Sequence, residues 1–191
     1  MARPITFDRV QIIEKSMQTF WQRGYQGTSM RDIGKATDLN PGSLYGSFGN
    51  KKALFLLVLE HYYKQLTLGI NQSLNKAKSK RNMLEEFFQL IITDKNQSQV
   101  KGCLLVNSLL ELASDAEMQS HIAAMFTGIE EMFYWVLVSG QRNGDFNASL
   151  DARDMAQYLV NNYFGLRVQS MTGQSDEYLS NNIGYFLAPL K

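Results

Sequence analysis

Residues 28–52 read Thr-Ser-Met-Arg-Asp-Ile-Gly-Lys-Ala-Thr-Asp-Leu-Asn-Pro-Gly-Ser-Leu-Tyr-Gly-Ser-Phe-Gly-Asn-Lys-Lys. Two short helical patterns are joined here by a tight turn. Thr28 or Ser29 offers a capping oxygen to the first, and Met30, Ile33 and Ala36 form its apolar face. Asp38-Leu39-Asn40 makes the turn. Asn40 caps the second pattern, and Pro41 takes its first position, where a missing N–H costs little. Leu44, Tyr45 and Phe48 follow, and the basic pair Lys51-Lys52 opens a further helix capped by Asn50. This is how a helix-turn-helix places one helix end in a DNA groove.

Upstream, Thr6 is the expected cap of a first helix, opened by Phe7 and Asp8 and ended by Gly24. Val10, Ile13, Met17 and Phe20 recur at helical spacing along it, flanked by Ile12 and Trp21. Downstream, the stripe Leu54, Leu57, Val58, His61 and Tyr62 carries a fourth helix to about residue 72, and the polar, lysine-rich stretch 71–81 joins head to body. Further helices are expected at about 80–94, 101–113, 115–141, 151–171 and 176–188. Three prolines in 191 residues leave long helices unbroken, and no segment reads convincingly as a strand.

The net charge of +1 hides an asymmetry. Residues 1–64 hold nine Lys/Arg and five acids, a balance of +4, whereas the remainder holds ten against thirteen, or −3. A basic head on an acidic body suits a polyanionic partner for the head alone. A single cysteine, Cys103, excludes an internal disulfide. The N-terminus lacks the apolar run of a signal peptide, and no membrane span is expected, so the reading is cytoplasmic with no membrane partner. Adjacent pairs Glu85-Glu86 and Glu130-Glu131 splay apart on a helix, and His61 and His121 lack partners at ligand spacing. Neither a catalytic constellation, a metal site nor a cofactor motif is signalled, and no enzyme is expected.

Phe20, Gly24-Tyr25, Gly27-Thr28-Ser29, Ile33, Gly42-Ser43-Leu44-Tyr45, Phe48, Lys51 and Leu54 together resemble the DNA-binding head of TetR-type transcriptional regulators. The spacing from Tyr45 to Phe48 to Lys51 is a specific part of that likeness, which covers residues 7–64. The stretch Lys101-Gly102-Cys103-Leu104-Leu105-Val106-Asn107 is similar to one found in a subgroup, some of whose members respond to electrophiles or oxidants. The resemblance implies an all-α fold with a three-helix helix-turn-helix head and a roughly six-helix ligand-binding and dimerisation body. It places the head at 1–50, a connecting helix four at about 51–72, and the body at 73–191. It also implies a homodimer on a palindromic double-stranded DNA operator, most often a repressor, released by a small-molecule effector in the body or by modification of Cys103. Three departures stand out: Asp38 replaces a usual turn glycine, Pro41 a polar or basic residue, and Gly46 a frequent histidine.

The candidate DNA contacts are Thr28, Ser29, Arg31, Asn40, Gly42, Ser43, Tyr45 and Lys51. Short hydroxyl and amide side chains allow close approach to bases and backbone. The Tyr45 hydroxyl and the Lys51 ammonium suit phosphates, the latter at a helix N-terminus. In the body, core packing accounts for most of the aromatic and methionine load. A pocket implied by the family likeness draws its candidates from Phe87, Phe88, Cys103, Asn107, His121, Met125, Phe126, Phe133 and Tyr163, with Asn162 or Arg167 as further orienting groups. Cys103 is either a small buried hydrophobe or a thiol activated by Lys101 and a helix N-terminus. The expected subunit contacts are Val160, Tyr163, Phe164, Arg167, Tyr185 and Phe186.

Overall fold

The computed structural model describes residues 8–76, 79–97 and 102–191. Thr6 and Lys101 lie outside these. Among the described residues every regular element is helical: α1 Arg9–Arg23, α2 Met30–Thr37, α3 Pro41–Phe48, α4 Lys51–Lys76, α5 Lys80–Gln97, α6 Leu104–Glu111, α7 Ala116–Asn143, α8 Ala152–Gln169 and α9 Asp176–Leu187, closed by a 3-10 turn at Ala188–Leu190.

The caps explain most helix starts. Asp8, expected inside α1, is its N-cap and accepts from the Val10 and Gln11 N–H groups. Ser29 closes a capping box with Asp32 on α2, Asn40 accepts from Ser43 N on α3, and Asn50 accepts from Ala53 N on α4. Asp115, Asp151 and Ser175 cap α7, α8 and α9 in the same way. α4 runs to Lys76, four residues past its expected end.

In the head, Ile12, Met17 and Phe20 of α1 pack with Ile33 of α2, Leu44 and Phe48 of α3, and Leu54, Phe55 and Val58 of α4. Phe20 meets Phe55 edge-on at 4.7 Å between centroids. Two positions depart from the expected stripes. Val10 is exposed at the first turn of α1, and Ala36 of α2 faces solvent while Gly34 and Thr37 turn inward.

In the body an aromatic cluster occupies the centre: Phe87 and Phe88 of α5, Phe133 of α7, Tyr163 of α8 and Phe186 of α9. α4 packs against α1 and α3 on the head side and against α5, α6 and α7 on the body side. α7, with 28 residues, contains a window of mean hydropathy 1.3 and is, by length and composition only, apolar enough to cross a membrane. That helix packs against α4, α5, α6 and α8, and its Glu131 pairs with Arg153 of α8.

Candidate nucleic-acid interface and body cavity

The exposed edge of the head is built from caps and small residues. Gly42 and Asn40 are exposed, Ser43 is half-buried, and Tyr45 keeps 51% of its surface open on the outer side of α3. Arg31, exposed on α2, borders a shallow groove with Lys35, Asp38 and Asn40. Ser29 is exposed, but its hydroxyl and backbone N–H are engaged with Asp32, whose carboxyl they hold below the usual range. Thr28 departs from expectation. It is buried, and its hydroxyl donates to Gly24 O at 2.7 Å, so its side chain fastens the α1–α2 turn instead of facing outward.

Lys51 stands at the first position of α4 with its ammonium 4.3 Å from the Tyr25 ring centroid. The same Tyr25 is gripped from the body. The Glu111 carboxylate, at the end of α6, accepts from Tyr25 N at 2.8 Å and from Gln26 N at 2.6 Å. Gly24 adopts φ 77°, and a Cβ there would lie 2.9 Å from both Glu111 oxygens, so only glycine admits this approach. Beside it, Lys52 Nζ bonds both Asp115 oxygens (3.0 and 2.8 Å) and lies 2.7 Å from Glu117. These hydrogen bonds raise the Lys52 pKa from 10.5 to about 12 and hold Asp115 below its ordinary value. Two charged clamps therefore tie the head to the α6–α7 corner.

A cavity of about 310 Å³ opens between α1, α4, α5 and α8. Met17, Leu66, Phe87, Leu90 and Ile91 supply its apolar lining. Arg167, only 8% exposed, donates through Nε to the Tyr163 hydroxyl (3.3 Å) and through Nη1 to Asp94 (3.0 Å). Burial pushes the Tyr163 phenol up to about 12 and the Tyr62 phenol well above 10. Both phenols stay protonated, and Tyr62 donates to Cys103 Sγ at 3.6 Å.

Of the expected pocket residues, only Phe87 and Tyr163 line this cavity, and Arg167 joins them. Phe88 and Phe133 are stacked on each other in the core. Met125 is buried in the core, and Phe126 packs on Phe164. His121 is exposed on α7 with Nδ1 at Glu117 O. Neither Asn107 nor Asn162 reaches the cavity; the Asn162 amide donates to Tyr158 O. Cys103 is buried one residue behind the wall, at the N-cap of α6. Among the lining residues that sequence reasoning missed are Glu14 and Trp21 of α1, Tyr62 of α4, and Asp94 and Lys95 of α5.

The expected subunit contacts also need correction. Val160, Tyr163, Arg167 and Phe186 are buried in their own subunit, and Phe164 packs on Phe126. They occupy the inward side of α8 and α9 because the Phe87–Phe88–Phe133 cluster needs covering there. Tyr185 alone is open, at 75%. The outward face instead carries Tyr158, Gly165 and Val168 on α8 and Tyr178, Gly184 and Tyr185 on α9.

The sequence model described as "Bacterial regulatory proteins, tetR family" matches residues 12–58, which span α1 to the start of α4. The chain belongs to the TetR family of transcriptional regulators. It is 28% identical over 187 residues to the HTH-type transcriptional repressor ComR of Escherichia coli K12, covering 95% of this chain and 88% of that one. The TetR-family regulator CifR, solved as a cysteine mutant with 26-bp double-strand operator DNA, superposes with a TM-score of 0.87 at 27% identity over 100% of both chains. The reduced form of NemR of E. coli shares the fold, with a TM-score of 0.83 and 24% identity over 93% of this chain and 94% of that one. The expected all-α fold and its helix-turn-helix head are borne out. This TetR-family chain is a DNA-binding transcriptional regulator.

Proposed function

We propose that this regulator is a repressor. Two copies grip a palindromic operator, and a small molecule entering the cavity between α1, α4, α5 and α8 releases it. One observation carries the reading: α1 of the DNA-binding head is itself a wall of that cavity, through Glu14, Met17, Gln18 and Trp21. A ligand that prefers one placement of α1 shifts the head, and linkage makes operator and ligand affinities interdependent. Residues 1–50 act as the DNA-binding domain, α4 connects, and 73–191 form the ligand-binding and dimerisation domain. The cell compartment is the cytoplasm, where the operator is.

Ser43, Gly42 and Asn40 enter the major groove, with Ser29, Arg31, Tyr45 and Lys51 on the flanking backbone. The second copy covers Tyr158, Val168, Tyr178 and Tyr185, large side chains left exposed on α8 and α9. Two heads then meet half-sites roughly 34–36 Å apart or a multiple of it.

A second reading is favoured by one contact. The Tyr62 hydroxyl lies against Cys103 Sγ, and Tyr62 also lines the cavity, so a small electrophile or oxidant in the cavity is one side chain from the thiol. Relatives were solved as a reduced form and as a cysteine mutant. Mass spectrometry after maleimide or peroxide treatment, run beside an operator assay, decides it; a modified protein with full operator affinity removes this branch.

The main reading is tested by fluorescence anisotropy on the duplex upstream of the protein's own gene. Saturable binding at two chains per site, resistant to excess unrelated duplex, is expected. Binding that unrelated duplex competes away equally would overturn it.

A further inference from the structure

We infer that Arg9, at the start of α1, holds a DNA phosphate on the flank of α3 opposite Tyr45, so that the reading helix is gripped from both walls of the groove. The inference rests on α3 being the helix that enters the groove and adds a contact to that reading.

α3 carries no charged side chain: it reads Pro-Gly-Ser-Leu-Tyr-Gly-Ser-Phe. Leu44 and Phe48 turn inward, and Gly46, two residues from each, stands on the opposite side of the helix. That crest is bare backbone, since a Cβ built on Gly46 would meet nothing within 4 Å. Tyr45 and Ser47 each lie about 100° around the helix from Gly46, on opposite flanks. One flank presents the exposed Tyr45 side chain. The other carries the half-buried Ser43 and Ser47, and its charge comes from Arg9. Arg9 Nη1 donates to Ser47 O at 3.0 Å, and the guanidinium lies 4.5 Å from the centroid of the Phe48 ring.

Phosphate neutralisation supplies much of DNA affinity, so a reading helix without a cation depends on cations beside it. Those of the head are not equally available. Arg23 lies 3.3 Å from Asp32, and Lys52 pairs with Asp115 and Glu117. Arg9 is exposed, and no carboxylate pairs with it among the described residues. The bond to Ser47 and the ring contact hold the guanidinium in place. Its further N–H donors meet no acceptor among the described residues, and a planar fork held this way suits a phosphate. A brace for the end of α3 needs only the donor, because a carbonyl also accepts from a neutral amide; a phosphate contact needs the charge.

The test reads the salt dependence of operator affinity by anisotropy on the intact protein. Arg9→Gln keeps an amide donor for Ser47 O, and Arg9→Met keeps an apolar stem on Phe48; both drop the charge. Each is expected to weaken operator binding roughly fivefold at moderate salt and to flatten the salt slope by about one counterion per half-site. Arg9→Lys should restore the parental slope. Lys15→Gln, which removes a charge from another face of α1, should leave the slope unchanged. Neutral methylphosphonates placed singly along the operator should reveal one position that weakens the parent but not Arg9→Gln, on the strand opposite the position silenced by Tyr45→Phe. A parental slope in either charge-removing variant, equal flattening in Lys15→Gln, or both silenced positions on one strand overturns the inference. Either charge-removing variant suffices if the other folds poorly. A parent that unrelated duplex competes away equally strikes at the operator reading, whereas specific parental binding with an unaltered slope in the Arg9 variants strikes at Arg9 alone.

Discussion

The outer face of α3 and the corner where α6 meets the head differ in what holds them. Around α3 the restraints come from within the head: Asn40 bonds Ser43 N, Ser29 bonds Asp32 and Thr28 bonds Gly24, each within four residues, and Arg9 of α1 donates to Ser47 O at 3.0 Å. At the corner they are remote. Glu111 reaches back 86 residues to Tyr25, and Lys52 reaches 63 to Asp115. A DNA-reading surface that keeps its shape by itself is thus mounted on a joint made of exposed charged contacts. Such a joint changes at modest cost, because water competes for each contact. Regulation then acts on where the reader stands and not on what it looks like. α6 is placed to transmit this, with Cys103 behind the cavity wall at one end and Glu111 on the head at the other.

The largest effect should come from the reading surface. Lys51→Ala is expected to weaken operator binding on the order of tenfold at moderate salt, and to flatten the salt dependence by about one counterion per half-site. Tyr45→Phe, which removes only the exposed hydroxyl, should weaken it less and leave the salt slope intact. Both variants should melt like the parent, since neither side chain belongs to the core. A salt slope unchanged in Lys51→Ala would show that its ammonium serves the Tyr25 ring and not a phosphate.

The joint comes next. Glu111→Ala frees two backbone N–H groups of the α1–α2 turn without touching any residue of the reading face. It should lower stability by about 1 kcal/mol, the scale of exposed hydrogen bonds to a charged group. It should also shift operator affinity by about threefold, within the range of couplings carried by single contacts. If Glu111→Ala melts early yet binds operator as the parent does, the corner is a structural tie and carries no signal.

What was legible in the sequence follows the same division. Ser29, Asn40 and Asn50 could be read as caps because a cap bonds N–H groups two or three residues ahead. The cavity could not be read that way. Trp21, Tyr62, Asp94 and Arg167 share it only after four helices have packed, and periodicity tells which residues share a face without telling what that face meets. Tyr163, Arg167 and Phe186 show the error this produces. The aromatic rings of Tyr163 and Phe186 and the long side chain of Arg167 suited a subunit contact equally well, but the Phe88 cluster claims that side of α8 and α9 for the rings, and Arg167 is bonded to Tyr163 and Asp94. Thr28 failed for a related reason: either hydroxyl of Thr28-Ser29 could cap α2, and only the closed turn decides which one faces inward.

Acidity offers a smaller test of the joint. Asp115 is held below its ordinary value by Lys52 first, so its contribution is present above the usual carboxylate range and lost as pH falls through the depressed folded value. Lys52 is raised to about 12 by Asp115 and Glu117, so its contribution is full below 10.5 and lost as pH rises through about 12. Between those limits the pair is indifferent to pH. The difference in urea midpoint between the parent and Lys52→Met should therefore stay constant from about pH 6 to 9. A difference that closes within that range would mean another group titrates against Lys52.

The smallest effect belongs to the turn between α2 and α3. Asp38 has φ 59° and ψ 33°, the left-handed region, and is alone among the described non-glycine residues in having positive φ. A Cβ in this conformation crowds the neighbouring carbonyl, and Asp tolerates it better than most residues but not as well as glycine. Its N–H bonds Gly34 O, so the backbone is fixed whatever the side chain. Asp38→Gly should thus relieve the crowding and stabilise the fold by about 0.5–1 kcal/mol, net of glycine's greater freedom when unfolded, or a rise of roughly 1–4 °C in Tm for a chain of this size. Asp38 also stands beside Arg31 and Lys35 on the groove bordering the reading surface, so removing its charge should tighten DNA binding slightly at low salt and not at high salt. A fall in Tm would mean that the turn, unlike the rest of the reading surface, depends on a contact of the Asp38 carboxylate more than on the backbone geometry that strains it.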